Sequence, residues 1–253
     1  MKKIICFLVL SLVASILSGC SMKSIDSSTT VELCSLEACI LEDSVFALSE
    51  KELQSVIVAN FSAEDVEIDP ENLTDKDVAV FGYNSVVEFE KSIIEDIVSH
   101  RLVEEYYNYL LENSTTETNE NTEEFVGLVM NQISSVAKQK GKTVDEFVEE
   151  NYQMKTDEYK TYLSDLWVNM QIIFAFCDAH DIVCSDVEIE DTRKLLKDSE
   201  EFLCYAANEE VETNMIRYLI LTEKVQDYIA TSHSQEIKQH TDEITSSLSI
   251  TEE

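Results

Sequence analysis

The side chains in this chain that could do chemistry are few, and most stand alone. Cys177, His180 and Cys184, with Asp181 adjacent, have the C-x-x-H-x-x-x-C spacing that a zinc site uses. A structural zinc needs four ligands, and no second Cys/His cluster supplies the rest, so these residues are read without a metal. His100 falls beside the apolar stripe of a long helical run and reads as a core residue, because no recognisable motif places a serine or cysteine nucleophile with it. His180, His233 and His240 are read the same way. The acid pairs Glu104-Glu105 and Glu149-Glu150 are unremarkable in a chain with 51 acidic residues and read as solvated faces, with loose calcium binding by several carboxylates as the alternative. Beyond residue 20 the only glycines are Gly82, Gly127 and Gly141, and Pro70 is the one proline. Phosphate-cradling loops need several glycines for close backbone approach, so nucleotide and dinucleotide sites are not expected. No catalytic residue, no metal and no cofactor is assigned.

One cysteine is different. Lys2 and Lys3 form a charged start, Ile4 to Leu17 an apolar stretch too short to span a bilayer comfortably, and Leu17-Ser18-Gly19-Cys20 closes it. This segment, residues 1–20, closely resembles the bacterial lipoprotein signal. The resemblance implies cleavage before Cys20, a diacylglyceryl (palmitate-type) modification of the Cys20 thiol, and an anchor on the outer face of the cell membrane. Two long acyl chains hold far more firmly than one. Cysteines Cys34, Cys39, Cys177, Cys184 and Cys204 remain. Sequence proximity suggests Cys34 with Cys39 and Cys177 with Cys184 as possible disulfides, one thiol is left over, and buried thiols are the alternative.

Charge excludes further partners. Without Lys2 and Lys3 the chain keeps 16 basic against 51 acidic residues, and its formal charge goes from −33 to −35. Nucleic acid is not expected as a partner, because phosphate binding needs clustered Lys and Arg. Anionic headgroups are disfavoured for the same reason, which leaves the lipid on Cys20 as the anchor.

The remaining elements are helical. Ser85-x-x-Glu88 is a capping box, and apolar residues then recur at Val86, Phe89, Ile93, Ile97, Tyr107 and Leu111, with Ile94, Val98 and Leu110 beside them. The spacing predicts one helix to Asn113, ~40 Å long at 1.5 Å per residue. Ser49-x-x-Glu52, Asn121-x-x-Glu124, Thr143-x-x-Glu146 and Ser185-x-x-Glu188 open four more helices, Thr156 opens another, and Glu209 to Thr231 forms a last one. Gly141 is a C-terminal cap residue, so the helices on either side of it form a hairpin. Residues 21–30 read as a polar tether and Val31 to Leu41 as a strand. A short helix is expected from Thr74 to Phe81, and the polar 233–253 stretch reads as a disordered tail.

Several stretches resemble the C-terminal chaperone domain of trigger factor: SVVEFEKSI with the long acidic helix ending in LLENS, and above all QISSVAKQKGKTVDEFVEENYQMKTDEYKTYL. The resemblance covers roughly Ser85 to Ser232. More faintly, VELCSLEACILEDSVFALSEKELQSVI resembles the entry into the FKBP-like prolyl isomerase domain of that family. It implies a mainly α fold, an elongated multi-helix body of arms and cradle (85–232), preceded by a small N-terminal α/β remnant of the isomerase domain (31–84). Isomerase activity is expected to be lost: the remnant is short, and it offers Phe46, Phe61, Phe81 and Tyr83 but no Trp as a pocket floor. The expected function is that of an ATP-independent holdase for unfolded or nascent exported polypeptides. Their contacts are expected at Val126, Met130, Phe147, Met154 and Tyr159, each of which could instead pack into its own hairpin. The alternatives are a prolyl isomerase or foldase with a minimal isomerase domain, and a surface lipoprotein with one dedicated partner.

Overall fold

The structure, a computed structural model, describes residues 30–63, 68–116, 120–197, 199, 202, 205 and 208–250. Cys20, most of the tether and Cys204 lie outside the described residues. The chain is mainly helical, with α1 (Glu50–Ala63), α2 (Asp75–Val78), α3 (Val86–Asn113), α4 (Glu120–Gln139), α5 (Val144–Tyr152), α6 (Thr156–Ala179), α7 (Asp186–Leu196), α8 (Glu209–Ser232) and α9 (Ser234–Ser247). Two strands of two residues each, β1 (Val31–Glu32) and β2 (Thr115–Thr116), pair antiparallel with Val31 opposite Thr116.

The chain divides into two compact units, Glu37–Asn108 with Gln226–Glu253, and Tyr109–Val225 with the segment ending at Leu36. They part inside α3 and α8.

In the first unit, α3 buries two rows four residues apart, Phe89, Ile93 and Ile97 beside Ile94, Val98 and Leu102. Each such side chain removed from water contributes about 1.5–3 kcal/mol before the entropy of ordering is counted. The start of α3 is as expected, with one change: Ser85 Oγ accepts the Glu88 N–H at 3.1 Å, but the Glu88 carboxylate reaches one residue further back and takes the Asn84 N–H at 2.9 Å. Against α3 lies α1, whose Leu53, Ile57 and Phe61 recur every fourth residue and are buried. Arg101 of α3 donates to the Ala47 carbonyl at 2.9 Å and to that of Val45 at 3.4 Å, and pairs with Glu52. The short helix expected after Thr74 is α2, followed by a 3₁₀ turn (Ala79–Phe81) that ends at Gly82 with φ +89°, a left-handed conformation that glycine adopts without steric cost.

Two expectations for this region are corrected. The strand over 31–41 shrinks to Val31–Glu32, because its partner is only two residues long; 3₁₀ turns follow at Leu36–Ala38 and Asp43–Phe46. Among its described residues the N-terminal segment is therefore mainly helical and turn-rich, with Val31–Glu32 in place of the α/β arrangement expected. The stretch read as a disordered tail is helix α9, which buries Ile237, Thr241, Ile244 and Thr245. Thr241 and Thr245 donate their hydroxyls to the carbonyls of Ile237 and Thr241 at 2.8 and 2.6 Å, so two residues counted as polar carry no unmet hydrogen bond into the interior. Lys91 pairs with Asp242 at 3.0 Å, and the Tyr106 hydroxyl donates to Glu236 at 3.3 Å, which fixes α9 against α3.

In the second unit, α6 is the central element. Met170 to Phe174 are all buried in sequence, so this helix is covered on most sides. Against it lies α4, which buries Phe125, Val129, Ile133 and Ala137, and α5 contacts both. The turn between α4 and α5 forms as expected. Gly141 has φ +71°, the Lys142 N–H donates to the Ala137 carbonyl at 2.9 Å, and Thr143 and Glu146 exchange both capping-box bonds, at 3.2 and 2.8 Å. Ser185 and Glu188 do the same at the start of α7, at 3.3 and 2.8 Å. Arg193 of α7 reaches Glu212 at 3.0 Å and Thr213 at 2.9 Å on α8.

Candidate functional site

The capped turn at Gly141–Thr143 sets α5 back against α4, and the Gln153–Lys155 link, with Gln153 at φ 54°, returns the chain into α6. This three-helix layer carries the five residues expected to touch a client. Two of them face inward. Phe147 is 3% and Tyr159 0% exposed. Tyr152 lies between them, stacked on Tyr159 with centroids 4.4 Å apart and at 6.5 Å from Phe147. The Tyr159 hydroxyl meets that of Tyr205 at 3.3 Å. Aromatic rings in such mutual contact are core material, so client contact at Phe147 and Tyr159 is corrected to a packing role. Val126 and Met130, one turn apart along the edge of the buried α4 face, and Met154 in the α5–α6 link are only part-buried and keep apolar atoms at the surface.

Sequence reasoning missed three further apolar side chains of the same unit. Val183, Val187 and Leu195 are 74%, 69% and 83% exposed, although Val187 and Leu195 share α7 with the apolar Ile189. Only Ile189 of these is buried, at 5%. The signal was available: Val187 and Leu195 fall on the side of α7 that carries Glu190, Asp191 and Lys194.

The residues that suggested chemistry stay apart. Cys34, Cys39, Cys177 and Cys184 are all thiols, with no disulfide between them among the described residues. Burial pushes the Cys177 thiol up to about 12, with the charge of Asp178 adding, and burial also raises Cys184; neither is a thiolate near neutral pH. The His180 ring lies on Phe176 at 4.3 Å, and among the described residues no group of three His, Cys, Asp or Glu side chains is placed to hold a metal ion. His100 is 3.9 Å from Glu104. Three of the aromatics considered for a proline pocket pack on each other and on Phe89: Phe61 meets Phe81 edge-on at 4.7 Å, Phe81 stacks on Phe89 at 5.3 Å, and Tyr83 stands 5.4 Å from Phe89.

The fourth, Phe46, belongs to a different feature, a cleft of about 650 Å³ in the first unit. Its walls are the 43–49 segment with Glu52 on one side and His240, Glu243, Ile244 and Ser247 of α9 on the other. The Phe46 and His240 rings stack at 3.9 Å and 15°. Sequence reasoning could not find it, because one wall is the helix that had been read as a disordered tail.

No family model, curated protein or solved structure matches this chain. Its function is therefore argued from its own residues.

Proposed function

We propose that this chain is a lipid-anchored, extracytoplasmic holdase that binds unfolded segments of exported proteins without nucleotide, using the arm-like α4–α7 region in the way the resemblance to the trigger factor chaperone domain suggests. The observation that carries the reading is that large apolar side chains of the second unit stay at the surface, part-exposed at Val126, Met130 and Met154 and largely exposed at Val183, Val187 and Leu195. Such side chains bind unfolded chain by area, weakly and without sequence demands, and the unbranched thioether side chains of Met130 and Met154 adapt to many shapes. A formal charge of −33 keeps such a surface soluble. The lipoprotein-type segment ending at Cys20 supports an anchor on the outer face of the membrane.

The test is aggregation of two unrelated, chemically unfolded secreted proteins, with and without the 21–253 chain, in the absence of nucleotide. Suppression of both near stoichiometric ratio is the expected result, and an inert chain would sink the reading. The anchor is checked separately by fatty-acid labelling in cells, where Cys20→Ala is expected to abolish incorporation and release the protein from the membrane.

A further inference from the structure

The cleft of the first unit has the chemistry of a selective site, unlike the dispersed apolar surface of the second. We propose that it docks a cationic peptide segment, one apolar side chain entering the cleft while flanking Lys or Arg side chains meet its rim. This proposal does not depend on the holdase reading.

The floor is apolar and already formed. Phe46 and Ile244 are 4% and 8% exposed, and Leu48 is part-buried beside them. Stacking on His240 holds the Phe46 ring, and the Arg101 hydrogen bonds to the carbonyls of Val45 and Ala47 hold the backbone on either side of it. A floor fixed before binding avoids an ordering cost during it. The volume of about 650 Å³ lies within the range of sites that enclose a ligand group.

The rim gives the sign of the partner. Asp43, Glu52 and Glu243 line the cleft, and no Lys or Arg does. Glu52 is paired with Arg101, and Glu243 accepts from the Gln239 amide with His240 Nδ1 3.4 Å away. Asp43 and Glu243 are thus the carboxylates not matched by a Lys or Arg, and they keep the lining acidic. The nearby cation, Arg101, is committed to Glu52 and to the two carbonyls. Anionic lipids and acidic peptides would bring like charge onto this rim in a chain already at −33, which costs affinity and slows encounter. A segment with Lys or Arg around a Leu or Phe satisfies floor and rim together.

A chain this acidic attracts any polycation, so the test must separate the cleft from the overall field. Three labelled peptides of equal length, built from Lys and Leu, Lys and Ser, or Glu and Leu, are titrated by fluorescence anisotropy into the 21–253 chain and into Ala47→Trp and Ser247→Trp, which fill the cleft from its two exposed walls. The Lys/Leu peptide is expected to bind tightest, at least about tenfold tighter than the other two, and to lose about tenfold on either substitution. Equal binding of Lys/Ser and Lys/Leu would overturn the proposal in favour of net charge alone. Equal binding of Glu/Leu and Lys/Leu would overturn it in favour of apolar area alone. A photo-crosslinker at the Leu position of the Lys/Leu peptide reads the unmodified chain directly. Adducts on residues 43–52 and 240–247 support the cleft, and adducts elsewhere overturn it.

Discussion

At the scale of single residues, burial divides the α4–α6 side chains into two experimental classes. Phe147 and Tyr159 belong to the interior, so Phe147→Ala and Tyr159→Ala should each destabilise by about 3–5 kcal/mol, as large-to-small core changes do. Val126→Ser and Met130→Ser, on the part-buried edge of α4, are expected to cost much less stability while weakening suppression of aggregation. Denaturant unfolding alongside the aggregation assay checks both; a Met130→Ser variant that loses stability but no holdase activity would exclude that residue from the client surface. Glu188 offers a titration. A hydrogen bond from Lys224, then the Ser185 backbone and hydroxyl, hold its carboxyl down to about 2 from the ordinary 4.5. A carboxyl depressed on folding contributes stability that is fully present above its unfolded value and is lost as pH falls from about 4.5 towards about 2. Glu188→Gln should therefore flatten the acid side of the stability curve in that window, which thermal melts between pH 2 and 6 would show; an unchanged slope would mean the Lys224 pairing is not maintained in solution.

At the scale of elements, legibility followed local chemistry. Capping boxes at Thr143 and Ser185, the serine half of the box at Ser85 and the left-handed glycine at Gly141 mark helix ends through bonds made within a few residues, and the structure forms each of them. The helix α4 begins at Glu120, two residues before the start at 122 that a cap at Asn121 implies, within the usual variation of helix ends. What could not be read depends on distant partners. The 31–41 strand lacks a partner longer than two residues, and α9 hides its apolar period behind threonines whose hydroxyls bond one turn back. The cleft is the sum of those two misreadings, since its walls are the turn after the lost strand and the helix in place of the tail. Hydrogen exchange tests the α9 correction: amides of Ile237 to Thr245 should be protected well beyond fraying levels, and Ile237→Asp should remove that protection by placing a charge at a buried position. Unprotected amides in the unmodified chain would restore the tail.

At the scale of the whole molecule, a formal charge of −33 acts on folding and on both proposed sites, and salt separates the three effects. Self-repulsion opposes the compact state, and the screening length falls from about 30 Å at 0.01 M to about 3 Å at 1 M salt. Thermal stability should therefore rise as sodium chloride is added, against the weak loss expected from screened surface ion pairs such as Lys91–Asp242. Client capture through apolar area should hold or strengthen with salt, because it needs no charge attraction and the repulsion of acidic clients fades. Docking of a cationic segment at the Asp43–Glu52–Glu243 rim should weaken over the same range. Measured on one preparation, aggregation suppression and Lys/Leu peptide affinity should thus move in opposite directions with ionic strength. If both fall together, unfolded chains are being held by charge, and the exposed Val183, Val187 and Leu195 side chains are not what holds them.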